Sequence, residues 1–391
     1  MATAMWLSHH RYLDISHGLA TDPEDELPRI LRKPRDEKAS DSENRGTWWL
    51  AATILLPFAA GYFLSYLYRT INALIADTLV GEFGLSASDL GLLTAALFLT
   101  FGAAQLPLGA WLDRYGPRRV QAVLLSIAGI GAAVFACADD LSWLVIGRAL
   151  IGLGVAAALM AGLKALVLWW PAERIALANG WLIALGTLGA VAATAPAEIL
   201  IVLMGWRGLF LLLAGLSGLA ALSILRCVPK HHPGERNESI TPGISIRTIF
   251  QDARFWRLAP LSATMIGSAW ALQGLWAGPW LANVEGLPRG DVVMHLLAMG
   301  IALSAFALFL GAAGDQLRKR GITLSRTLAF AVGVALVAQL ALVLRWPIPA
   351  WLPWIAIAGI GGATVLSYAI LTEIFPKSAS GRANGALNLL H

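Results

Sequence analysis

Ten apolar runs, each long enough to cross a bilayer, leave this sequence few ways to fold. A helix needs ~20 consecutive apolar residues to span the hydrocarbon. Such runs occupy residues 48–79, 86–109, 120–137, 142–169, 176–203 and 208–228, and resume at 258–281, 292–312, 324–344 and 351–374, with an eleventh beginning at the last residues. Composition agrees: the 391 residues are 57% hydrophobic and only 14% charged, with a mean hydropathy of +0.66. That balance excludes a soluble domain and predicts an all-α, polytopic membrane protein.

The charges that remain set topology. With the N-terminus inside, sixteen Lys and Arg residues fall in inner loops, whereas the outer loops hold only Arg207, Arg289 and Arg345. This asymmetry predicts a cytoplasmic N-terminus in the plasma (inner) membrane. The net charge of +5 therefore belongs to loops and does not point to nucleic acid. Residues 1–46 are polar and carry both signs, so they read as a disordered cytoplasmic tail; His9, His10 and His17 lie in it and are more simply a solvated stretch than a metal site. Cys137 and Cys227 are the only cysteines and predict neither a disulfide framework nor a metal cluster.

Residues 229–257 form the only long polar interior segment, rich in His, Pro and Gly, and divide a first bundle at 47–228 from a second at 258–391. Two internal echoes support the division. Gly109, Asp113 and the basic group after it return as Gly311, Asp315, Arg318, Lys319 and Arg320 at an offset of 202. Pro171 to Gly180 and Pro376 to Gly385 both end in Ala-Asn-Gly at an offset of 205. Parallel repeats of about six helices follow. Mapping the end of the first repeat forward places the expected end of the second near residue ~433, so most of an eleventh and all of a twelfth span are expected beyond His391.

The stretch joining the second and third runs is Gly109-Ala-Trp-Leu-Asp113-Arg114-Tyr-Gly116-Pro117-Arg118-Arg119-Val120. Gly109 would let a helix come close, Asp113 could accept from Arg118 or a helix N-terminus, and Gly116 permits a tight turn. A purely topological role for Arg114, Arg118 and Arg119 is the simpler alternative. The arrangement resembles the loop signature of the major facilitator superfamily, with Pro117 where a basic residue is more usual. The resemblance implies two six-helix bundles and a clamp, at Gly109, Asp113, Arg114, Gly116, Arg118 and Arg119, that holds one conformation. Arg148 followed by Gly152 and Gly154 is similar to the superfamily's fourth-span signature; a structural or gating role is expected of it.

Ionisable groups within spans are candidates for chemistry because a charge at mid-bilayer costs at least ~2.5 kcal/mol. Arg69 lies deep in the first span. Tyr62, Tyr66 and Arg69 fall at i, i+4 and i+7, and Asn72 lies one turn beyond on the edge of that face. A cation, phenols and an amide suit an anionic or strongly hydrogen-bonding ligand. Pairing of Arg69 with Asp77 or Glu198 is the alternative. The Tyr66 and Arg69 spacing resembles the organic-anion branch of the superfamily, in which an arginine of the first span contacts the anion. Organophosphate exchangers add an arginine in the seventh span; here that span offers Trp270, Gln273, Trp276, Pro279 and Trp280 and no cation. Gln273 and Trp276 are expected to face the cavity near a broken helix. Lys164 either contacts ligand or snorkels to the inner surface. Gln105 and Tyr368 read more simply as interhelical hydrogen bonders, and Asp77, Glu198 and His295 are the titratable groups available for proton coupling.

No His-Glu-x-x-His, Gly-x-Ser-x-Gly or Walker loop occurs, so an enzyme is not expected, nor any cofactor. By the resemblance, the chain is a monomeric secondary transporter of a small solute, with an organic anion preferred, that works by alternating access between the bundles in a lipid bilayer. A sensor or assembly factor on a transporter scaffold is the rival reading.

Overall fold

The computed structural model describes residues 48–171, 174–230, 246–375 and 377–390. The expected tail at 1–46 and the middle of the expected linker lie outside the described residues, as do the side chains of 311–319, which carry Asp315, Arg318 and Lys319 of the second motif copy. Residues Trp49–His391 make one compact unit, and no strand occurs among the described residues.

The first run starts with a π-helical turn, Ala51–Leu55, and continues as α1 (Leu56–Thr70) and α2 (Asn72–Phe83), interrupted at Ile71. Next come α3 (Ala87–Ala136), α4 (Leu141–Val155), α5 (Ala158–Trp169), α6 (Ile175–Ala192) and α7 (Ala195–Cys227). The second half holds a short α8 (Ile246–Gln251), α9 (Ala253–Ala271), a π-helical turn at Leu272–Trp276, and α10 (Ala277–Asn283). It continues with α11 (Arg289–Lys319), α12 (Leu324–Val343), α13 (Trp351–Gly362), α14 (Thr364–Ile374) and α15 (Lys377–Leu390). Among the described residues, seven helical stretches are individually long and apolar enough to cross a membrane. Two of these, α3 and α7, each leave helical geometry at one glycine, Gly116 at φ 75° and Gly205 at φ 72°. The expected runs 86–109 and 120–137 fall on the two arms of α3, the run 176–203 covers α6 and the first arm of α7, and the run 258–281, which is not among the seven, covers parts of α9 and α10 and the π-helical turn between them.

Local chemistry explains the boundaries. Gly84, at φ 64°, ends α2 in the left-handed conformation that glycine adopts without a Cβ penalty. Ser86 then opens α3 with a reciprocal capping box to Asp89. Asp140, Asp252 and Thr323 cap α4, α9 and α12 through their side-chain oxygens, supplying acceptors that the first turn of a helix lacks. At the turn in α3, Gly116 takes the left-handed backbone and Pro117 begins the return arm, where its missing N–H costs no hydrogen bond.

Small residues let the helices of the first half interlock. A Cβ at Gly152 would overlap the Leu97 carbonyl oxygen, and one at Gly154 would overlap the backbone of Ala128, so both glycines of the Arg148 signature are demanded by backbone approach. At the end of this half opposite the Gly109–Val120 turn, called here the far end, Phe135 stacks with Phe210 at 4.5 Å and Trp206 at 5.6 Å between centroids. Large apolar side chains also point outward, among them Leu99, Val202, Phe330 and Val343 at 70–78% exposure, as expected where lipid is the solvent.

Candidate functional site

A cavity of about 180 Å3 lies between the halves. From the first half, α1 contributes Tyr62, Ser65, Tyr66 and Arg69, and α3 contributes Phe98 and Phe101. Met160 of α5 and Thr187 of α6 complete that side. The second half supplies Trp270 of α9, Leu303 of α11, Tyr368 of α14, and Asn388 and Leu389 of α15. Arg69 is the only Lys or Arg of the described lining, which contains no Asp, Glu or His.

Arg69 is held by its own helix. Its Nε donates to the Ser65 carbonyl at 3.1 Å and one terminal nitrogen to Ser65 Oγ at 3.0 Å. Among the described residues it pairs with no carboxylate; Glu198 pairs instead with Arg289, and Asp77 makes no ion pair with Arg69. Three aromatic rings stand around the guanidinium: Tyr66 at 4.6 Å, Trp270 at 4.8 Å and Phe101 at 5.2 Å from its central carbon. Rings compensate part of the cost of removing a cation from water without neutralising it. The Tyr62 hydroxyl donates to that of Tyr66 at 3.3 Å, and the Tyr368 hydroxyl donates to Asn388 Oδ1. The result is a positively charged, aromatic chamber with hydroxyl and amide groups at its edge, able to take an acceptor-rich anion.

The remaining expected ligand contacts lie elsewhere. Asn72 is buried in the first half, donating to Thr94 Oγ1 at 3.0 Å and accepting from Arg148. Lys164 reaches the turn in α3, where it is ion-paired with Asp113. Gln273, at 2% exposure, is within the π-helical turn and outside the cavity lining, with its Nε2 unpartnered among the described residues. Trp276 follows it and is 38% exposed. Sequence reasoning selected Arg69 and Tyr66 but gave Tyr368 a minor part and did not find Asn388. The last has no distinguishing spacing, since it enters the cavity only because α15 folds back against α3.

The expected switch residues cluster at the turn in α3. Asp113 takes Lys164 as partner in place of Arg118, and Arg118 donates to the Leu225 carbonyl at the end of α7, where helix carbonyls lack partners. Arg114 stacks over Tyr115 at 5.4 Å, and Arg119 is exposed. No atom stands within 4 Å of where a Cβ would project from Gly109, so no helix packs closely there in this conformation. Arg148 is apart from this cluster and 1% exposed. It donates to the Tyr68 carbonyl at 3.2 Å and to Asn72, under the rings of Phe135 and Phe210.

At the far end the halves are fastened. Arg289 of α11 grips Glu198 of α7 through Nε at 2.9 Å and a terminal nitrogen at 2.7 Å, and also donates to the Leu74 carbonyl of α2 at 2.8 Å. Nearby, a Cβ at Gly278 of α10 would overlap the Ala73 carbonyl oxygen, so only glycine permits this approach of the two halves.

The Major Facilitator Superfamily model matches residues 58–391. The chain belongs to the Major Facilitator Superfamily. It is 25% identical over 264 residues to the hexuronate transporter of Escherichia coli K12, covering 63% of this chain and 60% of that one. It is 29% identical over 157 residues to the "Probable sulfoacetate transporter" of Cupriavidus necator, covering 40% of this chain and 36% of that one. The chain therefore spans between about a third and three-fifths of the length of these two relatives. Among solved structures, a bacterial homolog of the human lysosomal transporter Spinster, inward-facing and occupied, superposes with a TM-score of 0.69 at 20% identity, covering 86% of this chain and 77% of that one. A D-xylose-proton symporter gives 0.66 at 17%, covering 86% of each. These likenesses show the major-facilitator fold, in an integral membrane protein whose relatives are transporters.

Proposed function

We propose that this superfamily member is a secondary transporter of a small organic anion, with Arg69 as the anion's counter-charge. It would act as a monomer in the plasma (inner) membrane, N-terminus cytoplasmic, exposing the cavity to each side in turn. The observation that carries the reading is a cavity between the two halves whose described lining has one cation and no carboxylate. A charge in this position is expensive, and an incoming anion supplies the neutralisation that the chain itself withholds. The substrates named for the relatives agree, since hexuronate and sulfoacetate are organic anions. The described lining offers no carboxylate or imidazole as a proton carrier, so the proposal rests on anion binding and not on a proton pathway.

A thermal-shift screen of the purified chain against organic anions, cations and neutral solutes tests the binding step. A ligand specific to the native state raises stability as its concentration exceeds its dissociation constant. Stabilisation by an anion that vanishes in Arg69→Ala supports the proposal. Stabilisation that survives the substitution, or no stabilisation by any solute, overturns it and favours a scaffold or sensor role.

A further inference from the structure

The guanidinium of Arg69 is flanked by rings of two different origins. Tyr66 and Phe101 belong to its own half, but Trp270, at 4.8 Å, reaches over from α9 of the second half. The indole is 8% exposed and also packs on the Tyr66 ring, with centroids 5.3 Å apart and planes 46° from parallel. An aromatic face attracts a cation, indole most strongly, and the attraction grows as water is excluded.

A guanidinium has faces and edges that serve different partners. Rings take the faces, whereas a carboxylate or sulfonate lies in the plane and accepts from the edge. Ser65 takes the Nε–H and one N–H of a terminal nitrogen of Arg69, so the edge formed by the two terminal nitrogens keeps donors for a ligand. A ring above the plane and an anion at that edge do not compete. The backbone keeps the two halves in register at the same point, because Gly274, one turn beyond Trp270, packs against the carbonyl oxygen of Arg69 itself, which would lie 2.8 Å from a Cβ placed there.

From this geometry we infer that Trp270 is a positioning residue for the anion bound at Arg69, its indole reaching across from the second half to fix the plane of the guanidinium. The full-strength anion site then exists only while the halves stand this close, and separating them weakens binding without any movement of Arg69 on its own helix. The inference rests on the anion-transporter reading above and assigns a role to a residue outside the first half.

The test measures dissociation constants for galacturonate and sulfoacetate by thermal shift on the full chain, in wild type and in Trp270→Phe, Trp270→Leu, Trp270→Met and Arg69→Gln. The leucine and methionine variants both lack a π-face; methionine is similar in volume but longer and more adaptable, so it serves where leucine fails to fold. The expected result is a loss of affinity of roughly five- to thirtyfold in the leucine and methionine variants, with Trp270→Phe within about threefold of wild type. A Trp270→Met protein that binds like wild type overturns the inference, as does a Trp270→Phe protein that loses as much as Trp270→Leu. Arg69→Gln separates the two levels. If it binds as tightly as wild type, or if neither anion stabilises the wild-type chain, the anion reading itself fails and the role of Trp270 falls with it. If binding needs Arg69 but is indifferent to Trp270, only the inference fails.

Discussion

Arg148 donates to the side-chain oxygen of Asn72, three residues beyond Arg69 on the first span. These two arginines thus sit beside neighbouring turns of one chain segment in opposite environments. Arg69 faces a cavity with an edge unoccupied, whereas Arg148 is sealed at 1% exposure between a carbonyl, an amide oxygen and two rings. One is available for a ligand and the other holds the break at Ile71 in place.

Removing the Arg148 side chain should therefore cost stability and not specificity. Arg148→Ala leaves the buried Asn72 oxygen without its donor and a void beneath Phe135, a loss on the order of 3 kcal/mol. Asn72→Ala should cost less, about 1–3 kcal/mol, by leaving the cation short of an acceptor. Unfolding of the detergent-solubilised variants measures both losses. Anion affinity in Asn72→Ala should stay near wild type, and a loss in proportion to Arg69→Ala would restore Asn72 to the binding face.

The Lys164 and Asp113 pair is at the membrane edge, with Asp113 side-chain exposure of 75%. Exposed pairs of this kind contribute roughly 0–1 kcal/mol. Lys164→Met should leave the melting temperature and the anion dissociation constant nearly unchanged. Any effect should appear in the balance between conformations, measured by the rate at which a cysteine placed at the turn in α3 is labelled.

Breaking the far-end clasp should open that side. Glu198→Gln retains shape but removes the charge facing Arg289, and the population open at the far end should rise roughly two- to fivefold. Labelling of Ala73→Cys, which the Gly278 approach covers, provides the measurement. Faster labelling in the double variant than in Ala73→Cys alone is the expected result.

Close helix approach makes a further demand at Gly152. A methyl group there meets the Leu97 carbonyl oxygen, and overpacking of this kind costs about 1–3 kcal/mol. Gly152→Ala should lower the melting temperature, whereas Gly109→Ala, which meets no neighbour within 4 Å, should leave it unchanged or raise it, because alanine is better than glycine in a helix interior by ~1 kcal/mol.

Much of this architecture was legible in the sequence because it depends on local signals. Apolar runs marked the helices, Gly116 and Pro117 marked the turn within α3, and an arginine deep in a span marked the cavity. What escaped depends on which helices meet. Lys164 lies on a helix that also lines the cavity, and only the turn between helix faces sends its side chain to Asp113 while Leu163 points inward. Asn72 fell on the edge of the Arg69 face by periodicity, but its side chain is taken up by Thr94 and Arg148 on neighbouring helices. Gln273 and Trp276 are expected near a broken helix; the helix runs on without a break and carries a π-helical turn at Leu272–Trp276. Gln273 is buried in packing, and the residues of that helix that line the cavity are Ile266 and Trp270, which lie before the π-helical turn.

Uptake of radiolabelled galacturonate and sulfoacetate into liposomes containing the full chain, wild type against Arg69→Gln, shows whether the guanidinium carries an organic anion across a membrane. The account predicts saturable uptake of an organic anion by wild type and a reduction of about a hundredfold or more without the guanidinium, the scale of a lost charge-assisted pair in a desolvated site. Equal uptake by both proteins, or none by a well-folded wild type, would contradict it.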